Sequence, residues 1–151
     1  MEISELNQYP LRRFRPLFAA LPVPGANSLP GKYRGTFVGP AWLRMGAKPI
    51  LLLAGLGGWW GKDIFQDGTA INIVLRGGKF SRRFPMEVIC GKSILDAQDG
   101  LALRYQKGNP FPWMFIVDEI RRMDEITLLG MSRTNIPGLR WFAIPFVLQI
   151  P

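Results

Sequence analysis

Residues 118–131, D-E-I-R-R-M-D-E-I-T-L-L-G-M, carry the most information about the fold of this chain. A charged cluster, residues 118–122, leads to an acidic turn at Asp124 and Glu125. An apolar run follows and ends at Gly130 and Met131. Short runs bounded by turn residues are typical of β-strands. The stretch therefore predicts two strands joined by a tight turn.

Similar short runs occur along most of the chain, separated by turn sequences rich in Gly, Asn, Asp and Pro. The predicted strands cover residues 32–38, 59–65, 69–75, 79–90, 100–105, 113–123, 126–133 and 141–149. Eight closely spaced strands predict a mostly β domain folded as a single up-and-down barrel. Closure into a barrel is favoured because it removes exposed strand edges.

The segments outside the strands predict an arm and a lid. Residues 1–30 are punctuated by prolines and predict an N-terminal arm packed on a barrel domain of residues 31–151. Within the arm, residues 16–21 predict one short helix with Pro16 at its first position. After the first strand, residues 40–45 predict a helix opened by Pro40, which residues 49–54 extend or restart. We expect this helix to cap one mouth of the barrel.

The composition excludes several kinds of function. The chain of 151 residues has no histidine and one cysteine, Cys90. Histidine-dependent catalytic triads and the usual structural zinc sites are therefore excluded, and we expect neither a metal nor another cofactor. Cys90 is expected to be a buried small hydrophobe. The acidic start is not followed by a signal-like apolar segment, so we expect a cytoplasmic protein.

The formal net charge of +8 allows several partners. The basic residues occur in groups of two or three and no nucleic-acid motif is visible, so specific nucleic-acid binding is not expected. Residues 42–60 combine apolar and aromatic side chains with nearby basic groups, which leaves weak contact with an anionic membrane open. The sequence is compatible with a monomer or a homodimer.

Without histidine, a polar site must use other ionisable side chains. Alternation places Asp118 and Arg122 on one face of the charged strand, and Glu119 and Arg121 on the other. We expect one face to form a buried polar patch and the other an exposed ladder worth under about 1 kcal/mol per pair. The candidate catalytic residues are Asp118, Glu119, Arg121, Lys62 and Tyr105.

Aromatic residues supply the apolar part of the expected pocket, because an eight-stranded barrel can hold one small ligand. The candidate ligand-binding residues are Tyr33, Trp59, Trp60, Lys62, Tyr105, Trp113, Asp118, Glu119 and Arg121. The leading hypothesis is a barrel that binds a small hydrophobic molecule. A cofactor-independent cyclase or isomerase using the same pocket is the alternative, and a peripheral membrane or interaction protein is the second alternative.

Three motifs, in order, resemble those of a family of small uncharacterised proteins named for a GxWxG signature. Gly31-Lys32-Tyr33-Arg34-Gly35 resembles the signature itself, with tyrosine in place of tryptophan. Residues 58–65, G-W-W-G-K-D-I-F, resemble the family's W-Y-G-K-x-F motif with one extra residue before the phenylalanine. A third pattern is matched by Asp118, Arg121, Asp124, Glu125, Thr127 and Gly130, whereas Ser132 replaces its final aspartate.

The resemblance covers residues 31–149 and is that of a divergent member. It implies a compact calycin-like β-barrel, similar in outline to lipocalins and fatty-acid-binding proteins. It implies no particular reaction, and it places Asp118 and Arg121 at the family's matching polar positions.

Overall fold

The computed structural model describes residues 1–151, and its eight strands form one closed antiparallel barrel in the order β1 to β8. This confirms the predicted mostly β, up-and-down barrel. The strands are β1 (Gly31–Phe37), β2 (Trp59–Ile64), β3 (Thr69–Arg76), β4 (Lys79–Lys92), β5 (Asp99–Tyr105), β6 (Ile116–Arg122), β7 (Thr127–Thr134) and β8 (Ala143–Gln149).

Sequential antiparallel pairing gives the barrel two distinct ends. The β1–β2, β3–β4, β5–β6 and β7–β8 connections lie at one end, here called the mouth, and the other three connections lie at the closed end. Strand β1 pairs with both β2 and β8, which closes the sheet. Because neighbouring side chains on a strand point to opposite sides, alternate residues of every strand face the interior.

The N-terminal arm packs on the outer wall of the barrel. Its helices are α1 (Ile3–Leu6) and α2 (Phe14–Ala20), so α2 begins two residues before the predicted Pro16. Proline is tolerated there because the first turn of a helix has no intrahelical acceptors for its N–H groups. A separate apolar cluster joins the arm to β7 and β8 and includes Phe14, Phe18, Leu129, Met131 and Val147.

The third helix, α3 (Ala41–Leu53), lies between β1 and β2 across the mouth. The two apolar segments predicted after the first strand form one continuous helix, which contains Pro49. Only Leu43 and Ala47 of α3 are buried. No helix of the protein combines the length and apolarity needed to cross a membrane.

Two predicted strands begin later than expected. Residues Trp113–Phe115 form a 3-10 turn after a proline-rich loop, so β6 starts at Ile116. Strand β8 starts at Ala143. In β4 the register shifts at Phe84, which has a positive φ of 57° and precedes Pro85. Cys90 is exposed on β4, which corrects the prediction that it is buried.

Candidate functional site

A cavity of about 260 Å³ lies between α3 and the interior of the barrel. Its walls are mostly apolar and come from the strand ends, from α3 and from the β5–β6 loop. The aromatic side chains that line it belong to Phe37, Trp42, Trp59, Tyr105, Trp113 and Phe146. Its polar lining consists of Lys62, Asn72, Tyr105, Asp118 and Ser132. The sequence-predicted Trp59, Lys62, Tyr105, Trp113 and Asp118 therefore share one cavity.

An ion pair crosses the barrel beneath this cavity. Lys62 lies on β2 and Asp118 on β6, which are on opposite sides of an eight-stranded barrel. Their side chains meet with 2.9 Å between Nζ and Oδ2, and each side chain is at most 3% exposed. The packed residues towards the closed end include Ile64, Leu103 and Ile120. The ion pair thus forms a polar floor between a filled lower half and an open upper half.

Asn72 and Tyr105 complete the coordination of the Lys62 ammonium group. Lys62 Nζ donates to Asn72 Oδ1 at 2.9 Å and to Tyr105 Oη at 3.1 Å. Asn72 Nδ2 in turn donates to Tyr105 Oη at 2.9 Å, and Trp59 Nε1 donates to Asn72 Oδ1 at 3.0 Å. The charge is therefore held by three oxygen acceptors, which offsets the loss of hydration on burial.

Burial and pairing act in opposite directions on the pKa of Lys62. Removal from water alone lowers the pKa of the ammonium group, but the Asp118 carboxylate and Tyr105 outweigh it, so the pKa is raised. The pKa of the Tyr105 hydroxyl is also raised, first by burial and against the influence of Lys62. At neutral pH the floor therefore contains a protonated amine and a protonated phenol.

Two groups of this cluster keep hydrogen-bonding capacity for a ligand. Tyr105 Oη accepts from Lys62 and Asn72, and its own hydrogen has no acceptor in the protein. The Asp118 carboxylate lines the cavity and meets no protein donor other than Lys62. A carboxylate offers about four lone-pair sites, so most of its accepting capacity is unused. The cavity floor therefore presents one free donor beside one free acceptor.

Two glycines allow aromatic rings to lie flat against the interior wall. A Cβ atom on Gly35 would overlap the ring of Trp59, and a Cβ atom on Gly130 would overlap the ring of Phe146. The Trp59 and Phe146 rings meet edge to face at a centroid distance of 6.0 Å. The two glycines therefore shape the cavity by leaving room for its aromatic wall.

Trp113 connects the β5–β6 loop to the lid. Its Nε1 donates to the carbonyl oxygen of Ala54, just after α3, at 2.7 Å. Its ring stacks on Phe84 and lies 5.1 Å from the ring of Tyr105, measured between centroids. This residue holds the end of α3 over the cavity and lines it at the same time.

Four predicted ligand-binding side chains, those of Tyr33, Trp60, Glu119 and Arg121, do not line this cavity. Trp60 follows the β2–β3 register shift next to Trp59, points outward and packs on Phe80. The Tyr33 side chain points into the barrel, but its hydroxyl donates to the Leu29 carbonyl oxygen at the closed end. Glu119 and Arg121 occupy the outer face of β6 because they alternate with Asp118.

The outer face of β6 is buried, whereas an exposed ladder was expected on one face. Glu119 is paired with Arg133 on β7, and Arg121 NH1 lies 2.6 Å from Asp96 Oδ2. The guanidinium of Arg121 also lies 4.3 Å from the centroid of the Phe18 ring in α2. The arm and the β4–β5 loop cover this face, so Glu119 and Arg121 attach those segments to the barrel.

Two polar residues of the site, Asn72 and Ser132, are not among those predicted from the sequence. A signal for Asn72 exists, because it interrupts the apolar run of β3 at an inward position between Ala70 and Val74. Ser132 lies directly across from Asp118 in the β6–β7 pairing. Ser132 can be placed in the site only when the register between β6 and β7 is known.

The sequence matches no model of a known protein family and no curated protein. The fold is similar to that of a protein from Thermomonospora curvata known from its crystal structure, with a TM-score of 0.72. The alignment covers 99% of this chain and 93% of that chain, at 15% sequence identity. At this identity the likeness shows the fold alone.

Proposed function

We propose that the protein binds a small, uncharged hydrophobic molecule that carries one hydroxyl or carbonyl oxygen. The observation that carries this proposal is the apolar cavity with a free donor and a free acceptor on its floor. Ligand cavities usually measure about 300–1,000 Å³. A volume of about 260 Å³ therefore suits a compact ligand.

Charge balance argues for an uncharged ligand. Lys62 and Asp118 neutralise each other, so the floor has no net charge for a ligand ion to compensate. An extra charge placed there would lose its hydration without gaining a partner. A ligand oxygen, by contrast, can accept from the Tyr105 hydroxyl, and a ligand hydroxyl can also donate to Asp118.

The calycin-like resemblance supports the same proposal by analogy, since eight-stranded barrels of that kind hold ligands in their interior. Membership of the GxWxG family remains a prediction on the motifs at residues 31–35 and 58–65. Native mass spectrometry of freshly purified protein would show whether a ligand remains bound.

Three naphthalene compounds of similar size test the proposal by isothermal titration calorimetry. We expect 2-naphthol to bind more tightly than naphthalene, and the anion 2-naphthoate to bind most weakly. Substituting Tyr105→Phe removes only the hydroxyl and should weaken 2-naphthol binding about tenfold, the value of one hydrogen bond of roughly 1–1.5 kcal/mol. Naphthalene binding should be unchanged in that variant.

Tyr33→Phe is the matched control, because it removes a buried hydroxyl that points away from the cavity. It should leave the preference for 2-naphthol intact. Equal binding of all three compounds, or the same loss of preference in both variants, would contradict the assignment of the site.

A proton-transfer enzyme is the second candidate, favoured by the carboxylate and the phenol that lie together in an apolar cavity. Asp118 would take a proton from the carbon next to a ligand carbonyl, and Tyr105 would donate to the resulting enolate oxygen. Incubation with 2-tetralone in D₂O tests this, with exchange at the α-carbon followed by NMR. Exchange that persists in Asp118→Asn would exclude Asp118 as the base.

A further inference from the structure

The charges of the barrel are distributed unevenly between its two ends. The four connections at the mouth, residues 38–58, 77–78, 106–115 and 135–142, contain no Asp or Glu. The basic residues in or next to these connections are Arg44, Lys48, Arg76, Lys79, Lys107 and Arg140. The closed-end connections, by contrast, contain Asp67, Asp96, Asp124 and Glu125. Most of the net charge of +8 therefore lies at the mouth.

The same end exposes an unusual amount of apolar side chain. On α3, Trp42 is 63% exposed, Leu52 66% and Leu53 89%, and Phe111 in the β5–β6 loop is 70% exposed. Large apolar side chains grouped on a surface mark an interaction site, because a soluble monomer usually keeps such patches small. The helix bears basic residues as well, so it has the composition of an interfacial membrane helix.

A groove on the far side of α3 adds a second basic feature. It lies between the helix and strands β1 and β2. Its lining includes Arg34, Arg44 and Lys48 and no acidic residue. The Lys48 side chain is exposed. Three basic side chains along an open groove can contact the phosphate groups of a flat surface that lies against the helix.

The cavity and this surface share residues. Trp42, Gly46 and Ile50 of α3 line the cavity, while Trp42 and Ile50 are also more than 60% exposed. The helix that roofs the ligand site is therefore the helix with the exposed apolar surface.

From these observations we propose that the mouth docks on the surface of an anionic phospholipid bilayer. The α3 helix lies in the interface, its apolar side chains enter the acyl boundary, and the basic residues contact lipid phosphates. A nucleic-acid surface would not require the exposed leucines and Trp42, because such interfaces are polar. Docking does not depend on the proposed ligand, although it would let an apolar ligand enter the cavity from the bilayer.

Flotation of the protein with liposomes tests the proposal. Vesicles of phosphatidylcholine alone are compared with vesicles containing 30% phosphatidylglycerol, at low and high salt. We expect binding to the anionic vesicles at low salt, little binding to the neutral ones, and a loss of at least tenfold at high salt. Equal binding to both vesicle types, or none to either, would overturn the proposal.

Surface variants locate the contact. Leu53→Asp and Lys48→Glu should each weaken vesicle binding roughly tenfold. Ile126→Asp is the matched control, because Ile126 is 46% exposed in the closed-end β6–β7 turn. A loss in Ile126→Asp equal to that in Leu53→Asp would refute docking through the mouth.

Two further measurements separate this proposal from its rivals. Sedimentation should show a monomer, and a dimer that Leu53→Asp dissociates would mean that a second copy covers the surface instead. Leu53 does not line the cavity, so Leu53→Asp should bind 2-naphthol as the wild type does. Vesicle binding without 2-naphthol binding would support docking and refute the proposed function. Binding of 2-naphthol without vesicle binding would support the proposed function and refute docking.

Discussion

Removing one member of the ion pair across the barrel should lower the free energy of unfolding by several kcal/mol. In Lys62→Met the Asp118 carboxylate loses its cation, and in Asp118→Val the Lys62 ammonium loses its anion, both in a site at most 3% exposed. Breaking a buried pair in this way costs about 3–5 kcal/mol. For a domain of this length, that loss lowers the melting temperature by roughly 10 °C.

The double variant distinguishes the pair from two independent contributions. Replacing both ions by apolar side chains removes both unpaired charges, and such exchanges are neutral or stabilising by about 1–4 kcal/mol. Lys62→Met/Asp118→Val should therefore be more stable than either single variant. Arg104 and Glu87 provide the matched control, because their ion pair of 2.7 Å is about half exposed. Breaking that pair should cost under about 1 kcal/mol.

Urea unfolding followed by tryptophan fluorescence measures these differences. With a slope of about 2 kcal/mol/M, each single variant of the buried pair should shift the midpoint by about 2 M. If each single variant loses less than about 1 kcal/mol and the double variant loses their sum, the two ions do not interact in a dry interior. That outcome would refute the reasoning.

Three further predictions concern Arg121, Asp96 and Gly130. Arg121→Met should lower stability by about 2–4 kcal/mol in urea unfolding yet leave 2-naphthol affinity unchanged, because Arg121 lies outside the cavity. Burial acts against the charged form of Asp96, but hydrogen bonds from Arg121 outweigh it and lower the carboxyl pKa. That stabilisation is complete near neutral pH and is lost as the pH falls below about 4 towards the lowered pKa, so Asp96→Asn should show a smaller loss of stability in acid unfolding curves. Gly130→Ala should cost about 1–3 kcal/mol and weaken 2-naphthol binding in calorimetry, because the Phe146 ring must move.

The sequence alone determined the barrel and part of its site. Alternation and turn residues are local properties of the chain, so eight strands and their meander could be predicted with bounds close to those observed. Lys62, Tyr105 and Asp118 were identified for a related reason. In the absence of histidine, a polar site must use the other ionisable residues of the strands, and burying one of them requires a partner.

Only the tertiary structure shows which face of β6 points into the barrel and which connections meet at the mouth. Alternation separates Asp118 from Glu119 and Arg121 but does not say which side is the interior. Closure of the sheet brought β2 and β6 to opposite sides of the barrel, and so joined Lys62 to Asp118 across it. The four acid-free connections are scattered along the sequence, and only the up-and-down topology gathers them at one mouth, because antiparallel strands return every second connection to the same end.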